Sequence, residues 1–442
     1  MSRILNYLKI ERVQLLIAFV FSFVLRVIYL IHFNDPNFIN QGDNLQYYTF
    51  AKEILNQGIW LTNTSVGSSL AGNWAMLGPG YPLLISCCLF LFGSNFFSVF
   101  ILNALLTSTA IIVLYYLTKE IINDNKAAII ILVWGIFYIN FFKYTPFLLK
   151  ESLVFLLLPA AILFLIKEIK NDKKISINIL WFILTYGYLI HSDERYFFYF
   201  PFIILFFVFK YRSNFRLYIV KQVIILLGVV FLMIPWTIRN YSVYGQVVIL
   251  TERTTKVTAL FWGKDLSKQT NSKVLIGKIE DINSYVDSIK NGIIPLALDS
   301  TTVETIKWGI SNNLVPHKFD SKEKYCNAVI NFWKPTYFKP TYINDGFRKQ
   351  QWSLGHNLLS LLFYGIFLPF YFIALLYILI KKEDLVLYVI ATIPIIQMII
   401  HVGLVHVLER YRNPVDCFVV VIALWFLIFL SKKMVNYYRR NQ

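Results

Sequence analysis

The sequence predicts an all-α polytopic membrane protein with about ten transmembrane helices, and three observations lead to this fold class. Of the 442 residues, 57% are hydrophobic and only 15% are charged, whereas a soluble domain carries roughly 25% charged residues. Several apolar runs approach or reach the length of about 20 residues that a helix needs to cross the hydrocarbon core. Lys and Arg gather in short segments between these runs, which is typical of cytoplasmic loops.

Ten apolar runs are candidates for these helices. The clearest five are residues 13–32, 96–117, 217–236, 357–380 and 385–405. Five shorter ones are residues 127–142, 147–166, 175–190, 196–209 and 414–430. If the basic segments lie in the cytoplasm, ten spans fit and place both termini on that side of the membrane. The first run is expected to be an uncleaved anchor, since no small-residue cleavage site follows it.

The net charge of +17 could suggest a nucleic-acid partner, but its distribution indicates topology instead. The charge comes from short basic segments between apolar runs, such as residues 167–174 and 432–440. We therefore expect membrane lipid, and no nucleic acid, around the protein. The four cysteines are scattered and predict no disulfide framework.

This topology places two long segments outside the cytoplasm and divides the chain into three parts. Residues 1–238 form an N-terminal transmembrane module that includes a first outer loop, residues 33–95. Residues 239–356 form an extracytoplasmic soluble segment, a small domain of mixed or uncertain class. Residues 357–442 form the C-terminal transmembrane helices and a basic cytoplasmic tail.

The first outer loop predicts two juxtamembrane helices. Asp43 is placed to cap a helix over residues 44–57 that Gly58 ends. Tyr47, Ala51, Ile54 and Leu55 then share one face, so this helix is expected to lie along the membrane surface. The break at residues 78–82, Gly-Pro-Gly-Tyr-Pro, precedes an apolar run over residues 83–92. This run is too short to span comfortably, which favours an interfacial or re-entrant helix.

Polar residues from four separate places in the sequence fall at the outer ends of the predicted spans. Ionisable groups at such positions are costly and are often functional. Their convergence on one side of the membrane predicts a site there, and the set comprises Lys150, Glu151, His191, Asp193, Glu194, Arg195, Arg239, Glu409, Arg410 and Arg412.

Two carboxylates are candidates for catalysis, and each also has a purely structural interpretation. Asp43 could only cap its helix, or it could act as a general base on a hydroxyl group. Glu151 could only complement the dipole of the helix that it opens. Alternatively, Glu151 is a second carboxylate of the site, which assists the base or holds a metal.

Four arginines at the outer ends of the spans suit an anionic headgroup. Guanidinium groups bind phosphate oxygens in a bidentate manner, although an interfacial arginine also extends to lipid headgroups without a specific role. For the set as a whole we favour recognition of a phosphate. Its members are Arg195, Arg239, Arg410 and Arg412.

Five motifs, in order along the chain, resemble the GT-C superfamily of membrane glycosyltransferases. The nearest groups are the bacterial relatives of protein O-mannosyltransferases and of lipid A aminoarabinose transferases. The motifs are Gly42-Asp43 with Tyr47, Ala51, Leu55 and Gly58; Gly78-Pro79-Gly80-Tyr81-Pro82 with the run after it; Glu151; Pro235-Trp236-Thr237-Ile238-Arg239-Asn240-Tyr241; and Arg410-Tyr411-Arg412 followed by Pro414. The chain has Asn44 where many relatives have a second acid.

The resemblance implies a sugar transfer from a polyprenyl-phosphate-linked donor to a hydroxyl acceptor, which is a glycan, a lipid or a protein. It implies an inverting single displacement with Asp43 as general base and Glu151 as the second catalytic residue. The residues that it implies for binding the substrate and the lipid phosphate are Tyr47, Tyr81, Arg195, Arg239, Arg410 and Arg412. No cofactor is required with certainty, and a divalent metal at Asp43 and Glu151 stays an alternative. The expected location is the bacterial cytoplasmic (inner) membrane, with the site facing the periplasm or the exterior.

Two other functions fit a multi-span protein with outward arginines. A flippase or transporter for a lipid-linked saccharide would have mid-span charges and two related halves with broken helices, and the sequence has neither clear symmetry nor several such charges. An O-antigen-type polysaccharide polymerase is chemically closer, since it would use lipid-linked oligosaccharides as both donor and acceptor.

Overall fold

The computed structural model describes residues 2–33, 42–60, 77–93, 95–171, 175–210, 215–245, 247–251, 321–335, 354–381, 384–403 and 409–440. Regular structure within these ranges is entirely helical. The α-helices are α1 Ser2–Phe33, α2 Gly42–Gln57, α3 Gly80–Phe92, α4 Phe96–Ile122, α5 Asn125–Phe137, α6 Ile139–Lys143, α7 Glu151–Lys170, α8 Ile177–Ser192, α9 Phe200–Lys210, α10 Phe215–Tyr244, α11 Ser321–Trp333, α12 Leu354–Phe363, α13 Leu368–Lys381, α14 Leu385–Gly403, α15 Glu409–Arg412 and α16 Asp416–Arg440. Short 3₁₀ helices cover Glu194–Tyr199, Gly365–Phe367 and Asn413–Val415.

The prediction of an all-α polytopic membrane protein is confirmed. Seven helical segments within the described residues are long and apolar enough to cross a bilayer: Ile10–His32, Phe96–Ile122, Glu151–Lys170, Ile219–Tyr244, Gly355–Lys381, Leu385–Gly403 and Arg410–Arg439. Three further apolar helices are shorter, namely Gly80–Phe92, Asn125–Phe137 and Ile177–Ser192. The count of about ten spans stays a prediction. Most of the second outer segment lies outside the described residues, and its predicted boundary at residue 239 falls within α10.

The basic loops meet at one end of the helix bundle, which we call the basic end. Four ion pairs join neighbouring helices there. Their partners are Lys119 with Glu11 at 2.8 Å, Lys170 with Glu120 at 3.3 Å, Lys221 with Glu168, and Lys432 with Asp124 at 3.5 Å. The basic segments that share one side in the predicted topology therefore also share one end of the fold.

The opposite end, which we call the site end, collects the predicted polar residues. Helix α7 begins there with Glu151, α8 ends there before Asp193, and α16 begins there after Arg412. Helix α7 packs against α4 and α8, and 83% of its apolar window is buried. Because α7 is enclosed by its neighbours, its first residue, Glu151, lies inside the bundle.

The juxtamembrane helix of the first outer loop is present, but it begins at Gly42, so Asp43 lies in its first turn and not at the predicted cap position. Gly58 follows α2 with φ +78°, and its N–H donates to the carbonyl of Ile54 at 2.9 Å, as a C-terminal glycine does. Tyr47, Ala51 and Ile54 are buried, but Leu55 is 40% exposed and Phe50 takes its place. The buried stripe of α2 therefore also follows the i, i+3 spacing from Tyr47 to Phe50.

Two glycines let the start of α3 approach the end of α8 closely. A Cβ at Gly78 would collide with the carbonyl oxygen of His191, and a Cβ at Gly80 would collide with the backbone of Ser192. Tyr188 also donates its hydroxyl to the Gly80 carbonyl at 2.8 Å. The Gly-Pro-Gly-Tyr-Pro break thus joins the first outer loop to the residues that lead into Asp193.

We expect Gly78→Ala to destabilise the protein by about 1–3 kcal/mol, the usual cost of forcing an extra methyl group into a packed position. The measurement is the midpoint of thermal unfolding of the purified protein in detergent, which should fall by several degrees. Gly403→Ala is the matched control, because nothing lies within 4 Å of a Cβ built there. Equal midpoints for Gly78→Ala and the native protein would show that the loop tolerates the methyl group.

Candidate functional site

Asp43, Glu151 and Arg410 lie together at the site end, although they come from three distant parts of the sequence. Nη1 of Arg410 lies 2.9 Å from Oδ2 of Asp43, and its Nε lies 3.8 Å from Oε1 of Glu151. The side chains of Asp43 and Arg410 are 23% and 25% exposed, whereas that of Glu151 is 6% exposed. Asp43 is therefore the carboxylate that a substrate can reach, and Glu151 lies behind Arg410.

Asn44 fixes the start of α2 relative to the start of α7. Its Oδ1 accepts a hydrogen bond of 2.9 Å from the backbone N–H of Leu148, three residues before Glu151. Asn44 is 4% exposed, and an amide satisfies this buried N–H without adding a charge. Asn44, the residue that departs from the pattern of the resembled family, thus links the helix that carries Asp43 to the segment that leads into Glu151.

Within the described residues, a guanidinium rather than a cluster of metal-ligand side chains lies beside Asp43. Hard cations take about six or more oxygen ligands, whereas the described part of the chain brings two carboxylates together with Arg410 between them. No group of three or more His, Cys, Asp or Glu side chains occurs within the described ranges. The guanidinium supplies the positive charge at this position, so we derive no step through a metal.

A second group of charges surrounds Asp193, the residue that ends α8 and caps the next 3₁₀ helix. Arg195 donates to both of its oxygens, from Nε to Oδ1 at 2.7 Å and from Nη2 to Oδ2 at 2.5 Å. Nζ of Lys150 lies 3.2 Å from Oδ2. Burial alone would raise the pKa of the Asp193 carboxyl, but the charges of Arg195 and Lys150 outweigh it and hold the pKa below its usual value.

Tyr411 connects these two groups of charges. The guanidinium carbon of Arg195 lies 3.9 Å from the centre of its ring, and Arg410 donates from Nη2 to its hydroxyl at 3.0 Å. The ring also stacks on His401 with a centroid distance of 4.7 Å. The sequence analysis placed Lys150 and Asp193 in the polar set of the site end but gave them no role. It did not assign Tyr411 to the site, although the arginines on both sides of Tyr411 were a signal.

Arg412 belongs to a separate, fully buried network. Its Nε donates to Oδ1 of Asp416 at 2.9 Å, and neither side chain is exposed. Its Nη1 donates to the backbone carbonyls of Phe332, at 3.3 Å, and of Lys334. Tyr138 donates its hydroxyl to the other oxygen of Asp416. Arg412 therefore joins the described part of the second outer segment to the bundle.

Arg239 lies at the opposite end of α2 from Asp43. Its Nε donates to the carbonyl of Ile59 at 3.1 Å, and its guanidinium lies 4.6 Å from the ring of Trp236. A helix rises about 1.5 Å per residue, so the 16 positions from Asp43 to Ile59 separate Arg239 from Asp43 by roughly 20 Å. Arg239 is 1% exposed. It anchors the end of α2.

Tyr47 and Tyr81 pack α2 against α3. Their rings meet edge to face at 5.4 Å, and they are 3% and 0% exposed. The hydroxyl of Tyr81 donates to Oδ1 of Asn103 at 3.0 Å, and Asn103 in turn donates to the carbonyl of Phe147 at 2.7 Å. The two tyrosines thus support the helix that carries Asp43 from beneath.

Both the sequence and the fold of the chain are similar to known proteins. Residues 77–238 match the family described as dolichyl-phosphate-mannose-protein mannosyltransferase, whereas no curated protein sequence matches the chain. The fold is similar to the apo crystal structure of the Archaeoglobus fulgidus oligosaccharyltransferase, with a TM-score of 0.55, 16% identity and 97% of this chain covered.

A second similar structure is the archaeal oligosaccharyltransferase AglB from Archaeoglobus fulgidus in complex with an inhibitory peptide and a dolichol-phosphate. Its TM-score is 0.56 at 14% identity, again over 97% of this chain. The present chain spans about half the length of these proteins, 51% and 52%. The family match over residues 77–238 and the similarity of fold along the chain confirm the resemblance drawn from the motifs: this is a membrane protein of the GT-C fold type.

Proposed function

We propose that the protein is an integral-membrane glycosyltransferase that moves a sugar from a polyprenyl-phosphate-linked donor to a hydroxyl acceptor at the site end. The observation that carries the proposal is Asp43. It is a partly exposed carboxylate held by Arg410 at one end of an apolar bundle, in a chain whose residues 77–238 match a mannosyltransferase family. A carboxylate in this setting suits general base catalysis.

In the proposed reaction, Asp43 takes the proton of the acceptor hydroxyl while that oxygen attacks the anomeric carbon. The bond between this carbon and the phosphate oxygen breaks, and its electron pair leaves with the polyprenyl phosphate. Arg410 and Arg195 stabilise the charge that develops on the leaving phosphate. A single displacement inverts the configuration at the anomeric carbon.

The contacts of the other candidates support a positioning role within this proposal. Glu151 holds Arg410 from behind, because its carboxylate lies deeper in the bundle than Asp43. Arg239 and Arg412 are bound to backbone carbonyls, and Tyr47 and Tyr81 are buried under α2. We assign them to fixing the site rather than to direct contact with the phosphate.

The donor, acceptor and location are part of the proposal. The dolichol-phosphate and the peptide in the AglB complex support a lipid phosphate on the donor side and leave protein, glycan and lipid acceptors open for this chain. The separation of the basic end from the site end supports a site on the outer face of a bacterial cytoplasmic membrane.

The direct test is release of polyprenyl phosphate by the purified protein. The native protein in lipid nanodiscs is incubated with polyprenyl-phosphate mannose and with other polyprenyl-phosphate sugars, and the lipid products are measured by mass spectrometry. We expect at least one donor to be consumed in the presence of a cell-envelope extract as acceptor source. A protein that binds and consumes none of these donors contradicts the proposal.

The native Cys326 offers a test of the proposed side of action. It is exposed on α11, in the second outer segment, so a membrane-impermeant maleimide should label it in cells whose outer barrier is permeabilised. Because Cys87 is also exposed, the experiment uses a Cys87→Ser background, in which Cys326→Ser should remove this label. A cysteine at Lys170, introduced into the Cys326→Ser protein, should react only after the inner membrane is opened. Labelling of the residue 170 cysteine in sealed cells would invert the proposed orientation.

A further inference from the structure

Two cations, Arg195 and Lys150, share the carboxylate of Asp193 in their direct ion pairs. Arg195 satisfies the carboxylate alone, since it donates to both oxygens in the bidentate geometry that makes such pairs strong. Lys150 adds a second positive charge at 3.2 Å from the same carboxylate. Glu194 also acts electrostatically on Arg195. Within the described residues, Asp193 is thus the carboxylate on which both cations converge.

The second cation, Lys150, points to a bound anion because its side chain is largely buried. The side chains of Lys150, Arg195 and Asp193 are 12%, 14% and 5% exposed. A cation with so little access to water, at the end of a membrane-spanning bundle, is costly unless an anion comes to it. Lys150 and Arg195 are each partly exposed, so an anion can contact the exposed part of each side chain.

The group of charges around Arg410 has the opposite composition, with more carboxylates than cations. There, one guanidinium lies between the two carboxylates of Asp43 and Glu151. Tyr411 contacts the guanidinium groups of both Arg195 and Arg410, so the two groups of charges lie next to each other. Lys150 and Glu151 are also neighbours in sequence, and the start of α7 supplies one residue to each group.

We propose that Lys150 is a further phosphate-binding residue of the site. Its ammonium group and the guanidinium of Arg195 bind oxygens of the lipid-linked phosphate, and Asp193 holds both cations in place. The sugar then lies between this positive group and the negative group that contains the base Asp43. This inference rests on the proposed function, because it assigns a binding residue for the same donor.

The test measures binding of undecaprenyl phosphate, so it does not depend on knowing the sugar or the acceptor. The purified protein in nanodiscs is titrated with this lipid, and the dissociation constant is obtained from the intrinsic tryptophan fluorescence. We expect Lys150→Met to raise the dissociation constant about tenfold or more, as loss of a hydrogen bond to a charged group does. Lys150→Arg, which keeps the charge, should stay within a few-fold of the native protein.

Two controls separate phosphate binding from general effects. Lys119→Met removes a lysine that is likewise paired with a carboxylate, at 2.8 Å from Glu11, but at the basic end, and it should leave the affinity unchanged. Undecaprenol, which lacks the phosphate, should bind the native and Lys150→Met proteins equally. If Lys150→Met does not yield folded protein, Lys150→Gln replaces it, because its amide can still donate to Asp193.

The outcomes distinguish this inference from the proposed function. If the native protein binds undecaprenyl phosphate and Lys150→Met or Lys150→Gln binds it equally well, Lys150 has only a structural role and the inference is overturned. If the native protein binds undecaprenyl phosphate no better than undecaprenol, the proposed function itself fails, and this inference fails with it.

Discussion

Asp43→Asn is expected to reduce sugar transfer by about 10³-fold or more, since general base catalysis alone contributes about 10²–10⁴-fold. The amide has nearly the shape of the carboxylate but does not take a proton from the acceptor hydroxyl. It also removes the charge that pairs with Arg410 at 2.9 Å, so the guanidinium loses one of its two anchors. The measurement is the initial rate of polyprenyl phosphate release from a donor that the native protein consumes.

Binding of the lipid distinguishes loss of the base from loss of the whole site. Because Asp43 belongs to the negative group and not to the proposed phosphate subsite, Asp43→Asn should keep its affinity for undecaprenyl phosphate within a few-fold of the native value. Asp124→Asn is the matched control, a carboxylate paired with Lys432 at the basic end, and it should retain full activity. Full activity in Asp43→Asn would remove Asp43 from the role of general base.

The second large effect is expected on stability. Asp416→Ala removes the buried partner of Arg412, and breaking a buried ion pair by removing one side typically costs about 3–5 kcal/mol. The variant also leaves the hydroxyl of Tyr138 without its acceptor. We expect a low yield of monodisperse protein and a clearly lower midpoint of thermal unfolding in detergent.

Two comparisons show whether this loss comes from the uncompensated charge. Asp124→Asn breaks an ion pair at a partly exposed position and should cost no more than about 1 kcal/mol. The double variant Arg412→Met with Asp416→Leu should recover part of the stability, because no buried charge then lacks its partner. If the double variant transfers sugar at the native rate, Arg412 has no part in phosphate binding. An Asp416→Ala protein as stable as the native one would contradict the assignment.

The sequence was sufficient for the features that depend on local pattern. Run lengths predicted the apolar helices, and the position of Gly58 predicted the end of α2, which is where the structure has it. Charge distribution predicted that Glu151 and Arg410 would share one end of the molecule, because short basic loops mark the other end. Motif order added the resemblance that the comparisons confirm at the level of fold.

The contacts between side chains that are distant in the sequence could not be predicted in this way. Arg410 and Arg412 stand two residues apart and have the same chemistry, yet one contacts Asp43 and the other contacts Asp416. The i, i+4 spacing of Arg412 and Asp416 indicates their pair from the sequence. The partner of Arg410 is instead fixed by how α15 packs between distant elements, and no spacing rule contains that information. For the same reason, the sequence placed Lys150 at the end of a span but did not indicate that it pairs with Asp193. The roles of all these residues in catalysis stay predictions.

The way in which Arg412 holds the second outer segment has an evolutionary consequence. Its hydrogen bonds to residues 332 and 334 go to main-chain oxygens, which every amino acid provides. Substitutions in that segment therefore leave the anchor intact as long as the backbone keeps its path. Selection can alter the side chains of the segment while the arginine that holds it, two positions from Arg410, stays the same. Under the proposed function, a lineage of such proteins can diversify its acceptors without rebuilding the site around Asp43.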